Sequence, residues 1–183
     1  MAMIRSLLAF ALGLALLPAQ AAQDDPRLDD LFAALAKAKD AAMAAPIEEE
    51  IWTIWAESQS PTAALLTERG TLLFDAGDID RALTLFQTIT SLSPDFAEAW
   101  HRVAALENIR GETAAAIAAL KRTLELEPRH YAALAALGGI MESLGDDKAA
   151  LAAYTAALEI NPTLEEAQQQ AKTLRRKIEG DRI

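Results

Sequence analysis

The sequence predicts an all-α fold, a solenoid of stacked helix-turn-helix hairpins. Three observations carry that expectation. The first is a step of 34 residues that recurs in four columns at once: Pro94, Pro128 and Pro162; Gly77, Gly111 and Gly145; Ala82, Ala116 and Ala150; Phe86, Leu120 and Tyr154. Self-similarity at one fixed period marks a stack of repeated supersecondary units. The second is composition. Apolar residues make up 52% of the chain but aromatic residues only 5%, so the apolar content is largely Ala and Leu, and with Glu, Lys and Arg these are strong helix formers. The third is the C-terminal stretch, where Leu164, Ala167, Ala171, Leu174 and Ile178 recur at spacings of three and four, the mark of a one-sided helix.

From the amino terminus, residues 1–21 read as a cleavable secretory signal. Arg5 supplies the positive start and Ser6 to Leu17 a short apolar run. Pro18 ends that run, and Ala19-Gln20-Ala21 forms a small-x-small cleavage site. The run is too short to span a bilayer, which takes about 20 apolar residues. It has no preceding Arg pair and no following Cys, so the expectation is general export without a lipid anchor, to a bacterial periplasm or the medium. Residues 22–61 follow as a helical hairpin. Leu28, Leu31, Phe32 and Leu35 mark one amphipathic helix. Pro46 opens a second, with Ile47, Ile51, Ile54 and Trp55 on one face. These columns fall outside the 34-residue register, so the pair is a divergent repeat or an N-terminal cap. Trp52 lies off the main stripe, either as an exposed anchor for a partner or beneath the following helix.

Residues 62–162 hold three units, with helices expected near 62–76 and 79–92, 96–110 and 113–126, and 130–144 and 147–160. Each Gly ends a first helix, where a left-handed residue is needed. The acids that follow, Asp78, Glu112 and Asp146, sit at the next helix's N-terminus, where negative charge is favoured. The recurring Ala lets two helices approach, and the large residue four places on fills the space beside it. Pro closes each unit and fits the start of the next helix. Residues 163–183 form a capping helix whose outer face carries Glu165, Gln168, Gln169, Lys172, Arg175 and Arg176. A terminal repeat needs such a polar face.

This pattern resembles the tetratricopeptide repeat, whose period is 34 residues. Trp100 stands at the family's tryptophan, with Leu66 and Leu134 in its place in the other units. Leu137-Gly138 is the family's Leu-Gly pair, replaced by Arg69-Gly70 and Val103-Ala104 elsewhere. The resemblance implies a groove lined by the first helix of each unit: Thr67, Thr71, Phe74 and Asp75, then His101, Arg102, Ala105, Asn108 and Ile109, then Ala135, Gly139, Glu142 and Ser143. It also implies a protein partner, since stacked repeats present an extended binding surface. Some members grip a C-terminal carboxylate with basic residues on this face. At the equivalent places here only Arg102 is basic, so that clamp is not expected. The small Ala135 and Gly139 leave room for a bulky chain such as a partner helix.

Composition and missing motifs narrow the function. The formal charge of −10 argues against a duplex nucleic-acid binder, which needs clustered Lys and Arg. With no Cys and only two His, disulfides are excluded and a zinc site is not expected. There is no nucleophile elbow, phosphate loop or metalloprotease motif. His101 and His130 are placed at the starts of different helices, with no nucleophile assigned to either. The expectation is a non-enzymatic, cofactor-free, monomeric interaction module, a scaffold or adaptor for an envelope protein. The alternatives are a self-associating structural array, or a binder of a glycan or small ligand.

Overall fold

The computed structural model describes residues 22–57 and 60–180. The expected export signal lies outside them. After a 3-10 turn at Ala22–Asp24, the helices are α1 (Arg27–Leu35), α2 (Ala41–Ala56), α3 (Pro61–Asp75), α4 (Ile79–Leu92), α5 (Ala97–Ile109), α6 (Thr113–Leu126), α7 (Tyr131–Ser143), α8 (Asp147–Ile160) and α9 (Glu165–Gly180). No strand occurs among the described residues, and no helix there is long and apolar enough to cross a membrane. The fold is an all-α solenoid, and α3 to α8 end within a residue of the expected bounds.

The columns do the work expected of them. Gly77, Gly111 and Gly145 take φ of 77°, 79° and 78°, and each directly precedes a helix-capping residue. Asp78 and Asp146 go beyond a charge effect: their side chains accept from the Arg81 and Ala149 amides, whereas Glu112 makes no such bond. Ala82, Ala116 and Ala150 are fully buried beside Phe86, Leu120 and Tyr154. Facing each large residue is the small one of the first helix. A Cβ on Gly70 would stand 2.8 Å from the Phe86 ring, and one on Gly138 2.8 Å from that of Tyr154. Unit two pairs Ala104 with the narrower Leu120. Pro94, Pro128 and Pro162 close the units from the turns between them, after α4, α6 and α8 have ended and before the next helix begins.

The N-terminal pair departs more. Helix α2 starts at Ala41, not at Pro46, because the Asp40 side chain accepts from the Met43 amide and caps it one turn earlier. Pro46 sits inside the helix. The hairpin also does not stack as a unit before α3. Its buried Leu28, Phe32, Leu35, Ile51, Ile54 and Trp55 pack with Tyr131, Ala132, Ile160 and Leu164 of later units. Three bonds tie it to three successive inter-unit turns. Gln23 Nε2 donates to the Asp95 carbonyl (2.7 Å), Arg129 to Asp29 (2.7 Å) and Asn161 Nδ2 to Glu48. Arg129 also lies over the Phe32 ring, 4.5 Å from its centroid. At the other end α9 buries Ala167, Ala171 and Leu174 against Ala150 and Tyr154, and its Lys177 pairs with Asp147.

Candidate functional site

The face lined by the first helices divides into a closed end and an open end. At the closed end α2 presents two indoles to the starts of α5 and α7. Trp55 stacks on His130 with ring centroids 4.2 Å apart and planes 7° from parallel, and Trp52 covers His101 at 5.8 Å. Trp52 is therefore neither a free anchor nor beneath α3.

Below the indoles lies a buried carboxylate. Glu98 Oε2 is 3.3 Å from both His101 Nδ1 and His130 Nε2, and Arg102 Nε donates to Oε1 at 2.5 Å. The histidines assigned to separate helix starts converge on one acid. His130 caps α7: its Nδ1 accepts from the Ala133 amide at 3.2 Å, which places its proton on Nε2, facing Glu98. Burial holds the His130 pKa down, to about 4, against the pull of the Glu98 charge. Protonation would also aim an N–H at the Ala133 amide. Burial alone would raise the Glu98 pKa, but hydrogen bonds from His101 and His130, with the neighbouring charges, hold its carboxyl well below the usual carboxylate range.

The three side chains have the composition of a metal site, their ligand atoms lying within 4.8 Å of one another. Their bonding opposes that use. A metal on His130 Nε2 would move the proton to Nδ1, donor against donor at Ala133. The Arg102 guanidinium already neutralises the acid. No hydroxyl, thiol or amine hydrogen-bonds to either ring among the described residues, so the cluster holds no nucleophile for a base to activate. It joins α2, α5 and α7 as a satisfied polar core.

The 34-residue register contains the signal for this cluster. Glu98 stands where the other two units have Ala64 and Ala132, and His130 where they have Thr62 and Phe96. A carboxylate where the other units carry alanine marks a local exchange of packing for hydrogen bonding. The hydrogen-bond partners of Glu98 and His130 lie within the array, on α5 and at the start of α7, and α2, outside the register, adds the covering indoles.

At the open end two clefts gather the other groove residues. Thr71, Phe74, Arg102 and Ala105 border a shallow one with Phe86 and Leu106. Asn108, Ala135, Gly139 and Ser143 line a larger one of about 480 Å³, closed by Tyr154 and the start of α9 at Glu165, Glu166 and Ala167. Glu142 stands beside it, accepting from Tyr154 Oη at 3.2 Å. That hydroxyl is pushed up to about 12, by burial and then by the charges of Glu142 and Glu166. Ile109 is 55% exposed and Phe74 36%, whereas Thr67 is half-buried and His101 is drawn under Trp52. His101 thus serves the closed end, Arg102 bridges it to the shallow cleft, and Asn108, Ala135 and Glu142 serve the open end. Glu165 was read from sequence as outer surface, and the packing of α9 on α8 brings it to the cleft together with Glu166.

Comparison with known proteins agrees with this architecture. Residues 67–112 and 110–165 match the family model described as tetratricopeptide repeat. A TPR repeat-containing protein of Rhizobium etli is 33% identical over 156 residues, spanning 85% of this chain and 76% of that one. Among solved structures, the first TPR of Spaghetti (RPAP3) bound to an HSP90 peptide superposes with a TM-score of 0.62 at 20% identity, covering 66% of this chain and 95% of that one. The Sgt2 TPR domain from Aspergillus fumigatus gives 0.61 at 22%, covering 67% and 83%. MamA gives 0.60 at 22%, covering 85% and 83%. At these identities the structural likeness speaks to the fold.

Proposed function

Because this chain belongs to the tetratricopeptide repeat family, we propose that it is an exported interaction module that holds a peptide or helical segment of another protein at the open end of its groove. The observation that carries this reading is the pair of adjoining clefts. They are built from first-helix residues of all three units and flanked by Phe74 and Ile109, apolar side chains left exposed among the described residues. The Spaghetti domain holding an HSP90 peptide lends support by likeness of fold. Capture of an acidic C-terminus is not part of the proposal, since Arg102 is committed to Glu98. No cofactor is invoked.

A photo-crosslinking side chain at Asn108 tests the site, with one at Lys121 on α6 as the control. A discrete protein adduct from position 108 and none from 121 is expected. Equal labelling from both positions overturns the groove as the binding face. Export is tested by N-terminal sequencing of the protein isolated from cells: a mature chain beginning at Ala22 is expected, and a retained residue 1–21 segment refutes it.

One observation favours self-association as a second reading. Leu65 (57% exposed) and Leu72 (62%) hold the register of Ala99 and Leu106, which are buried under the preceding unit. A sedimentation mass that stays monomeric at every concentration removes that alternative.

A further inference from the structure

Two neighbouring glycines of α7 differ in what holds them. A Cβ on Gly138 would lie 2.8, 2.9 and 3.0 Å from Cδ1, Cε1 and Cγ of Tyr154, so internal packing forbids one. A Cβ on Gly139 would meet only Tyr154 Oη, at 3.5 Å, an ordinary contact. Glycine in a helix interior weakens the helix, and no contact among the described residues requires it at position 139. Gly139 opens onto the cleft of about 480 Å³, in line with Ala135 and Ser143 at helical spacing. A groove floor this bare lets another backbone come close. Around it stand Glu142, Glu165 and Glu166, none of them ion-paired among the described residues. Glu165 and Glu166 also suit the first turn of α9. Glu142 on α7 is held beside the same cleft by the hydroxyl of Tyr154, which lines it, so three carboxylates gather at its rim.

From this juxtaposition we infer that the open cleft takes a cationic segment of a partner protein, its backbone laid against Gly139 and a lysine or arginine side chain among Glu142, Glu165 and Glu166. The inference rests on the groove reading above and narrows it to one charge class. It is the reverse of an acidic-tail clamp. The cleft volume lies within the ~300–1,000 Å³ usual for ligand sites and admits a few residues of chain.

The probes are fluorescein-labelled (Lys-Ala)6, (Gln-Ala)6 and (Glu-Ala)6 peptides. Affinity is read by anisotropy, and the site by amide shifts in ¹⁵N spectra. The lysine peptide is expected to move the amides of Gly139, Ser143 and Ala167. The triple variant Glu142→Gln/Glu165→Gln/Glu166→Gln should weaken it at least tenfold. Gly139→Leu should weaken it similarly without lowering the melting temperature. The control Glu49→Gln/Glu68→Gln/Glu112→Gln, three exposed acids elsewhere, should change affinity less than twofold. An equal loss in the control would mean diffuse attraction to the net charge of −10 and overturns the inference. If the neutral or acidic peptide moves the cleft amides and the lysine peptide does not, the groove stands and its cationic preference falls. If no peptide moves them, both fall together.

Discussion

Replacing Gly138 with Ala pits two opposing effects against each other at one methyl group. On helix propensity alone the change stabilises, by about 1 kcal/mol in a helix interior. The packing says the opposite. The new Cβ would stand 2.8–3.0 Å from three carbons of the Tyr154 ring, where about 3.5–4.0 Å is favourable. One of the three is Cγ, the root of the ring, so a small rotation cannot clear it. The far end is held by the hydrogen bond from Oη to Glu142, and Tyr154 is buried against α9. Relief requires α7 and α8 to separate by a good part of an ångström. Overpacking of this kind costs roughly 1–3 kcal/mol, and the pinned ring places it in the upper half of that range. The net loss is about 1–2 kcal/mol, or roughly 2–8 °C in melting temperature for a chain of this size. Urea and thermal unfolding followed by circular dichroism measure it. Adding Tyr154→Leu reproduces the Ala104–Leu120 pairing of unit two, and the double variant should lose about 1 kcal/mol less than the sum of the two single changes. At the next position Gly139→Ala should gain about 0.5–1 kcal/mol, since it brings the helix benefit without the clash. A Gly138→Ala protein melting at or above wild type, or a double variant losing the full sum, would refute the account of helix packing.

Three more outcomes follow from the closed end. Trp55→Ala removes a fully buried indole stacked on His130 and should cost about 3–5 kcal/mol; retention of the wild-type urea midpoint would show that the hairpin does not dock this way. Arg129→Ala strips Asp29, the Phe32 face and the buried Glu127 of their shared cation; a loss of about 1–3 kcal/mol is expected, with faster proteolysis of residues 22–57. The pH dependence has a definite sign. A histidine whose folded pKa is about 4, below the ordinary 6.5, contributes stability in full above pH 6.5 and loses it as pH falls toward 4. Glu98, depressed in its turn, adds a further loss only below the ordinary carboxylate range. Unfolding midpoints measured from pH 7.5 to 4 should drop for the wild type and flatten for His130→Asn, which keeps a helix cap and cannot titrate; an equal slope in both would contradict the burial argument.

The repeats were legible because their determinants are short-ranged and periodic. A left-handed glycine, a capping acid and a small-large pair act within one hairpin, so three copies in one register expose them. The hairpin α1–α2 was legible as two helices, since Leu28, Phe32, Ile51 and Trp55 keep helical spacing, but not in its placement. Expecting α2 to begin at Pro46 gave the proline's preference for a first turn more weight than the Asp40 cap six residues before it. The groove list names residues of α3, α5 and α7, and the structure gives two of them another duty. His101 and Arg102 hold Glu98 at i+3 and i+4 within α5, a spacing the sequence shows, but the tryptophans that cover them come from α2, outside the array, and no local pattern indicates that contact.

The sequence by itself determined the repeat: its period, its helix bounds, the residues that turn the chain and the residues that let helices touch. All of these are decided by backbone conformation and by neighbours within some 34 positions. Only the tertiary structure decided which end of the groove is open. The bonds that lay the hairpin across the turns join residues 72, 100 and 113 positions apart. The shapes and charges that match over such distances exist only after the solenoid has formed, so no segment encodes them alone.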